Sequence, residues 1–106
     1  DIPLEFIGEQ IGYGEHDTHD GVFHTETMIF RTRGGRYVVE VYQERKNDPD
    51  HPLVRAAEFG SAIEGVEWLR KTSRNGETLG PSSLDAIETA AEVDVGFRGV
   101  ATRRVE

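Results

Sequence analysis

The chain has 106 residues, a net charge of −8, 36% apolar and 30% charged residues, and no cysteine. A chain of this length makes a single domain, residues 1–106, with one core, and the absence of cysteine rules out disulfides and thiolate metal sites and favours a cytoplasmic setting. No apolar run approaches the roughly 18 residues that a membrane span requires, and the acidic balance argues against direct nucleic-acid binding.

The charge is unevenly laid out. Residues 1–30 hold seven acids and neither Lys nor Arg. Residues 31–46 reverse this, with Arg31, Arg33, Arg36, Arg45 and Lys46 set against Glu40 and Glu44. An acidic field of this kind attracts basic partners.

Taken in chain order, the first segment, residues 4–13, alternates loosely and is rich in β-formers, which predicts a strand. Residues 14–24, GEHDTHDGVFH, then gather three histidines and two aspartates between glycines. A second strand runs through Thr32 and a third covers residues 36–44. The Gly34-Gly35 pair between them predicts a two-residue type I′ hairpin, which needs positive φ at both central positions. Residues 52–59 form a fourth strand after the breaker cluster at 47–50. Ser61 and Glu64 match the S-x-x-E capping box, and Ile63, Val66 and Leu69 follow at helical spacing, so a helix is expected at 62–72. Trp68 lies off that stripe and is expected at the seam between helix and sheet. Asn75-Gly76 and Gly80-Pro81 bound a loop, and Ser82 or Ser83 caps a second helix carried by Leu84, Ile87 and Ala91. Phe97, Val100, Ala101 and Val105 suit a third helix, which Gly96 and Gly99 weaken.

Strands followed by helices imply an α+β domain. The expectation is an antiparallel meander of three to four strands, at about 4–59, with two to three helices, at about 62–105, packed on one face. A two-residue Gly-Gly turn pairs Phe30 with Val39 and Met28 with Val41 on a core face. Matching Phe6 to Phe30 sets Gly8 beside Met28 and Glu5 opposite Arg31. The other face then carries Ile7, Ile11, Ile29, Val38 and Tyr42 among Glu9, Arg31, Glu40 and Glu44. It is too apolar for a fully solvated surface and too charged for a core.

Three constellations could carry chemistry. His16, His19 and His24, interleaved with Asp17 and Asp20, offer imidazoles and carboxylates to a divalent metal. Their place in a loop bounded by Gly14 and Gly21 favours a solvated connection instead, and no cofactor is expected. Arg31, Arg33 and Arg36 could hold a phosphate or an acidic partner at the hairpin tip. The serines lack a nucleophile elbow and the glycines of residues 8–14 lack a phosphate-loop sequence, so an enzyme is not the expected class. The preferred expectation is a small acidic binding or inhibitor protein, working through protein–protein contacts and possibly mimicking a nucleic acid toward a basic partner. Its contact residues would be Ile29, Val38, Tyr42, Glu9 and Glu40. The alternatives are a metal-binding protein or metal-dependent enzyme built on the histidine loop, and a structural homo-oligomer using the mixed sheet face.

Overall fold

The computed structural model describes residues 8–72 and 79–105, with side chains described as far as Val100. The expected strand start at 4–7, the pairings of Glu5 and Phe6, the Asn75-Gly76 loop and the side chains of Ala101 and Val105 lie outside the described residues. Four antiparallel strands form a meander in the order β1 (Gly8–Asp17), β2 (Phe23–Thr32), β3 (Tyr37–Arg45) and β4 (Asp48–Phe59). Three helices follow: α1 (Ala62–Lys71), α2 (Pro81–Val93) and α3 (Val95–Val105). The α+β class and the order of sheet before helices are as the composition of each segment implies. Among the described residues, no helix is long and apolar enough to cross a membrane.

The β2–β3 turn differs from the expected one and changes the register. Only Gly35 has positive φ, at +84°. Gly35 donates its N–H to the Thr32 carbonyl at 3.0 Å, the Arg36 N–H reaches the Thr32 hydroxyl at 3.0 Å, and Thr32 N–H bonds the Arg36 carbonyl at 2.8 Å. The loop is therefore Arg33-Gly34-Gly35, a β-turn closed by one left-handed glycine, which is the common three-residue hairpin. One extra loop residue moves the pairing by one: Ile29 faces Val39, Phe30 faces Val38 and Met28 faces Glu40. Because side chains alternate, this slip exchanges the two faces of β2 relative to β3. Ile29 and Val39 are fully buried against the helices, while Met28 and Phe30 join Val38, Glu40 and Tyr42 on the opposite side. The core therefore includes Ile29, and the expected placement of Ile29 on an exposed contact face is corrected.

β1 is shifted as well. Glu9, not Glu5, lies opposite Arg31, and Gln10 lies opposite Phe30. A bulge between Gln10 and Gly12 leaves Ile11 unpaired and turns it into the core, as an inserted residue does. Glu9 shares the helix side with Arg31, whose guanidinium approaches Asp94, so Glu9 is not beside Val38 and Tyr42. Gly12 and Gly14 then seat α2. A Cβ at Gly12 would lie 2.4 Å from the Ala86 carbonyl oxygen, and one at Gly14 would lie 2.1 Å from that of Ser82. These glycines continue the strand and allow close backbone approach, one of the uses of glycine within a sheet.

β4 starts at Asp48, four residues before its expected start, after a tight turn at Lys46-Asn47. Pro49 and Pro52 are compatible with this because β4 is an edge strand, where a missing N–H need not break a ladder. α1 opens at Ser61, whose hydroxyl accepts the Glu64 N–H at 3.3 Å, while the Glu64 carboxylate accepts the Gly60 N–H at 3.1 Å. Its buried stripe is Ala62, Gly65, Val66 and Leu69, so Ile63 is displaced to the surface. Trp68 is half-buried and its ring centroid lies 5.7 Å from that of Phe59, at the helix–sheet seam as expected.

α2 is capped by Gly80 with Pro81 in its first turn, where the fixed φ of proline suits a helix start. Ser82 and Ser83 point inward rather than capping, bonding the buried Thr27 hydroxyl at 2.9 and 3.3 Å. Asp94, only 2% exposed, joins α2 to α3. It accepts the Phe97 N–H at 3.2 Å and the Tyr37 hydroxyl at 2.8 Å. Burial and this bond push the Tyr37 hydroxyl up to about 12. Phe97 closes the core edge-on against Tyr37, with ring centroids 5.1 Å apart. α3 is helical despite Gly96 and Gly99 because this cap and the burial of Phe97 outweigh its weak propensity.

Candidate functional site

The strand register divides the polar residues of the sheet between two sides. On the side turned away from the helices, consecutive cross-strand rows place Asp17 beside His24 and Glu44, Glu15 beside Glu26 and Tyr42, and Tyr13 beside Met28 and Glu40. Val54 and Ala56 continue the second and third of these rows on β4, and Glu58 ends the next row, Phe30–Val38. Tyr13, Met28, Phe30, Tyr42, Val54 and Ala56 are half-buried here. Val38 and Glu40, in the central strand β3, are buried, and burial pushes the Glu40 carboxyl above its ordinary range. The Tyr13 hydroxyl donates to Glu15 at 3.3 Å and that of Tyr42 to Glu44 at 2.5 Å. Carboxylates thus border an apolar strip and are held there by tyrosine hydroxyls.

His24 sits at the far end of this face, opposite the Arg33–Gly35 hairpin. Its Nδ1 lies 2.6 Å from Asp17 Oδ1, and its Nε2 lies 2.9 Å from Glu26 Oε2 and 3.7 Å from Glu15 Oε1. Lys46 Nζ bonds the other Asp17 oxygen at 2.8 Å. The bond to Asp17, then that to Glu26, raises the His24 pKa against the opposing effect of burial. Lys46 first and His24 second lower that of Asp17. The imidazolium and its carboxylates support one another.

The pH dependence follows from these directions. The stabilisation by His24 is complete below its unfolded value of about 6.5 and is lost as pH rises through its higher folded value. The stabilisation by Asp17 is present above its unfolded value and is lost as pH falls through its lower folded value. The cluster therefore supports the fold best in the mildly acidic window between the two. Urea unfolding of the wild type and His24→Gln from pH 5 to 9 checks this: the variant is expected to lose part of the decline in midpoint above about pH 6.5. Parallel profiles would show that these contacts contribute nothing to folding.

The expected metal trio is separated by the same alternation. His16 pairs with Thr25 on the helix side, whereas His24 pairs with Asp17 on the other. His16 and His24 therefore cannot ligate one ion, and His19 lies on the β1–β2 turn. The donor atoms that do converge are those of Glu15, His24 and Glu26, all within 4.8 Å of one another. Two carboxylates and one imidazole suit a divalent ion such as Zn²⁺, and Asp17 on Nδ1 stands where an outer carboxylate orients a ligating histidine. Glu15 and Glu26 were not singled out in the sequence because their approach to His24 depends on the β1–β2 register. The signal that finds them is strand alternation applied through residue 17.

The arginines of the hairpin also part company. Arg31 turns to the helix side, with Nη1 3.6 Å from Asp94. Arg36 pairs with Glu58 at 2.6 Å on the other side, and Arg33 stands at the tip. The three guanidiniums do not converge on a single anion site.

Comparison with known protein families, curated proteins and solved structures returns no match for this chain.

Proposed function

We propose that the protein is a non-enzymatic binding protein that holds a basic protein partner on the sheet face turned away from its helices, as a nucleic-acid mimic does. The observation that carries this reading is the make-up of that face. Glu15, Asp17, Glu26, Glu44 and Glu58 surround half-buried Tyr13, Met28, Phe30, Tyr42 and Val54. An apolar strip rimmed by charge of one prevailing sign has the anatomy of an interaction surface, with aromatic anchors inside and steering groups outside. Tyr42 remains in the proposed contact region; Val38 and Glu40 lie buried in the same side of the sheet, and Ile29 and Glu9 lie on the helix side.

The test is capture of DNA-binding proteins by immobilised wild type and by Tyr42→Ala/Glu44→Lys. The wild type is expected to bind them in a salt-sensitive manner and to release them when duplex DNA is added. The variant should fold normally and lose capture. Capture that ignores both DNA and the substitution would overturn the reading. A concentration-dependent dimer in sedimentation, abolished by the same substitution, would replace the basic partner with a second copy of the chain.

A divalent-cation site is the second reading, favoured by the convergence of Glu15, His24 and Glu26. Stoichiometric Zn²⁺ binding to tag-free protein, lost in Glu15→Gln/Glu26→Gln, would bring it forward.

A further inference from the structure

A different site lies on the helix side of the sheet. There the ends of the strands remote from the Arg33–Gly35 hairpin run beneath the end of α1 and the start of α2, leaving a cavity of about 770 Å³. Its size is within the range of small-molecule pockets. Two cross-strand rows form the floor. One runs His16, Thr25, Gln43, Leu53, and the next brings Val41 beside Arg55. Leu69, Lys71 and Thr72 of the α1 end form one wall, and Pro81, Ser82 and Ser83 of the α2 start form another.

The charge of the described lining is opposite to that of the whole molecule. The chain has 20 Asp and Glu against 12 Lys and Arg, yet no carboxylate lies among the described lining residues, whereas Arg55 and Lys71 do. Arg55 donates to the Thr72 carbonyl at 3.2 Å, and neither Arg55 nor Lys71 forms an ion pair with a described carboxylate. In a protein this acidic, two cations without described carboxylate partners on one cavity give its described lining a positive charge. The first turn of α2 adds the positive end of its dipole to the same space. The remaining surface is apolar, from Val41, Leu53, Leu69 and Pro81, and Leu53 is 48% exposed.

We propose that this cavity binds a small organic anion. Arg55 and Lys71 meet its phosphate or carboxylate head, and Val41, Leu53 and Leu69 take its apolar body. The site is independent of the proposed protein-binding face, from which the thickness of the sheet separates it.

Phenyl phosphate, benzoate, inorganic phosphate and benzyl alcohol serve as probes, titrated into the ¹⁵N-labelled full chain. At least one aromatic anion is expected to shift the amides of Thr25, Gln43, Lys71 and Ser82 saturably, and which of the two binds better identifies the head group. Benzyl alcohol and inorganic phosphate should bind at least about tenfold more weakly, each lacking one half of the recognition. Arg55→Gln/Lys71→Gln should weaken the aromatic anion by about tenfold or more. Lys71→Gln alone, which removes an exposed side chain, gives the same direction if the double variant fails to fold. No saturable shift with either aromatic anion, affinity unchanged in the variants, or inorganic phosphate binding as tightly as phenyl phosphate would each overturn the proposal.

Discussion

Ile29→Asp is expected to unfold the protein, whereas Tyr42→Ala is expected to leave it folded. Ile29 is fully buried, packed between β1, β3 and α2. An unpaired carboxylate there loses its hydration and finds no described cation in the core cluster, and the isoleucine contacts are lost as well. The combined cost is more than about 4 kcal/mol, a large part of the roughly 5–15 kcal/mol that holds a domain of this size together. Tyr42 lies on the other side of the sheet and is only half-buried, so its truncation removes fewer contacts. Circular dichroism and urea denaturation of the two variants decide the matter. A folded Ile29→Asp would mean that the two-residue Gly-Gly register, with Phe30 and Met28 inward, is the true one.

Gly14→Ala is expected to destabilise by about 3 kcal/mol, as overpacking against main chain does. The added carbon would meet the Ser82 carbonyl oxygen at 2.1 Å and the Asp85 Cβ at 2.8 Å. Neither contact is the free end of a long side chain, so relief requires α2 to lift from β1. That movement would disturb the bonds from Thr27 to Ser82 and Ser83 and the burial of Ala86 and Ala90. Gly34→Ala is the matched control. Its nearest neighbour would be the Thr32 hydroxyl at 4.0 Å, and Gly34 has no positive φ. Urea midpoints of the two variants measure the difference. Equal stability of Gly14→Ala and the wild type would mean that α2 does not rest on the β1 backbone.

The proposed partner face and the proposed anion cavity use opposite sides of one sheet, and their electrostatics differ accordingly. Carboxylates collect where His24 and Lys46 are already neutralised by Asp17, Glu15 and Glu26. Cations without described carboxylate partners collect beneath the helices. A change at Glu44 should therefore leave phenyl phosphate binding intact, and one at Lys71 should leave protein capture intact.

What the amino-acid sequence determined by itself was the kind and order of the elements. Strand propensity in residues 22–32 and 36–44 and the Ser61 cap arise from interactions within a few residues, so they can be read locally. The α+β class followed from that order. The facing of the sheet did not, because it depends on whether Gly34-Gly35 forms a two- or a three-residue loop. The Thr32 hydroxyl bond to Arg36 accompanies the longer one, and a single residue of slip carries Ile29 from surface to core. The need for glycine at positions 12 and 14 comes from α2, some 70 residues further on, which rests on them. The division of His16 from His24 follows from the alternation of β1, but only once β1 is known to run through Asp17. The placing of Lys71 and Arg55 on one cavity, and the meeting of Glu15 and Glu26 with His24, needed tertiary structure outright. Those side chains are brought together by sheet register and helix packing, which act between residues distant in the chain and leave no mark in the local pattern.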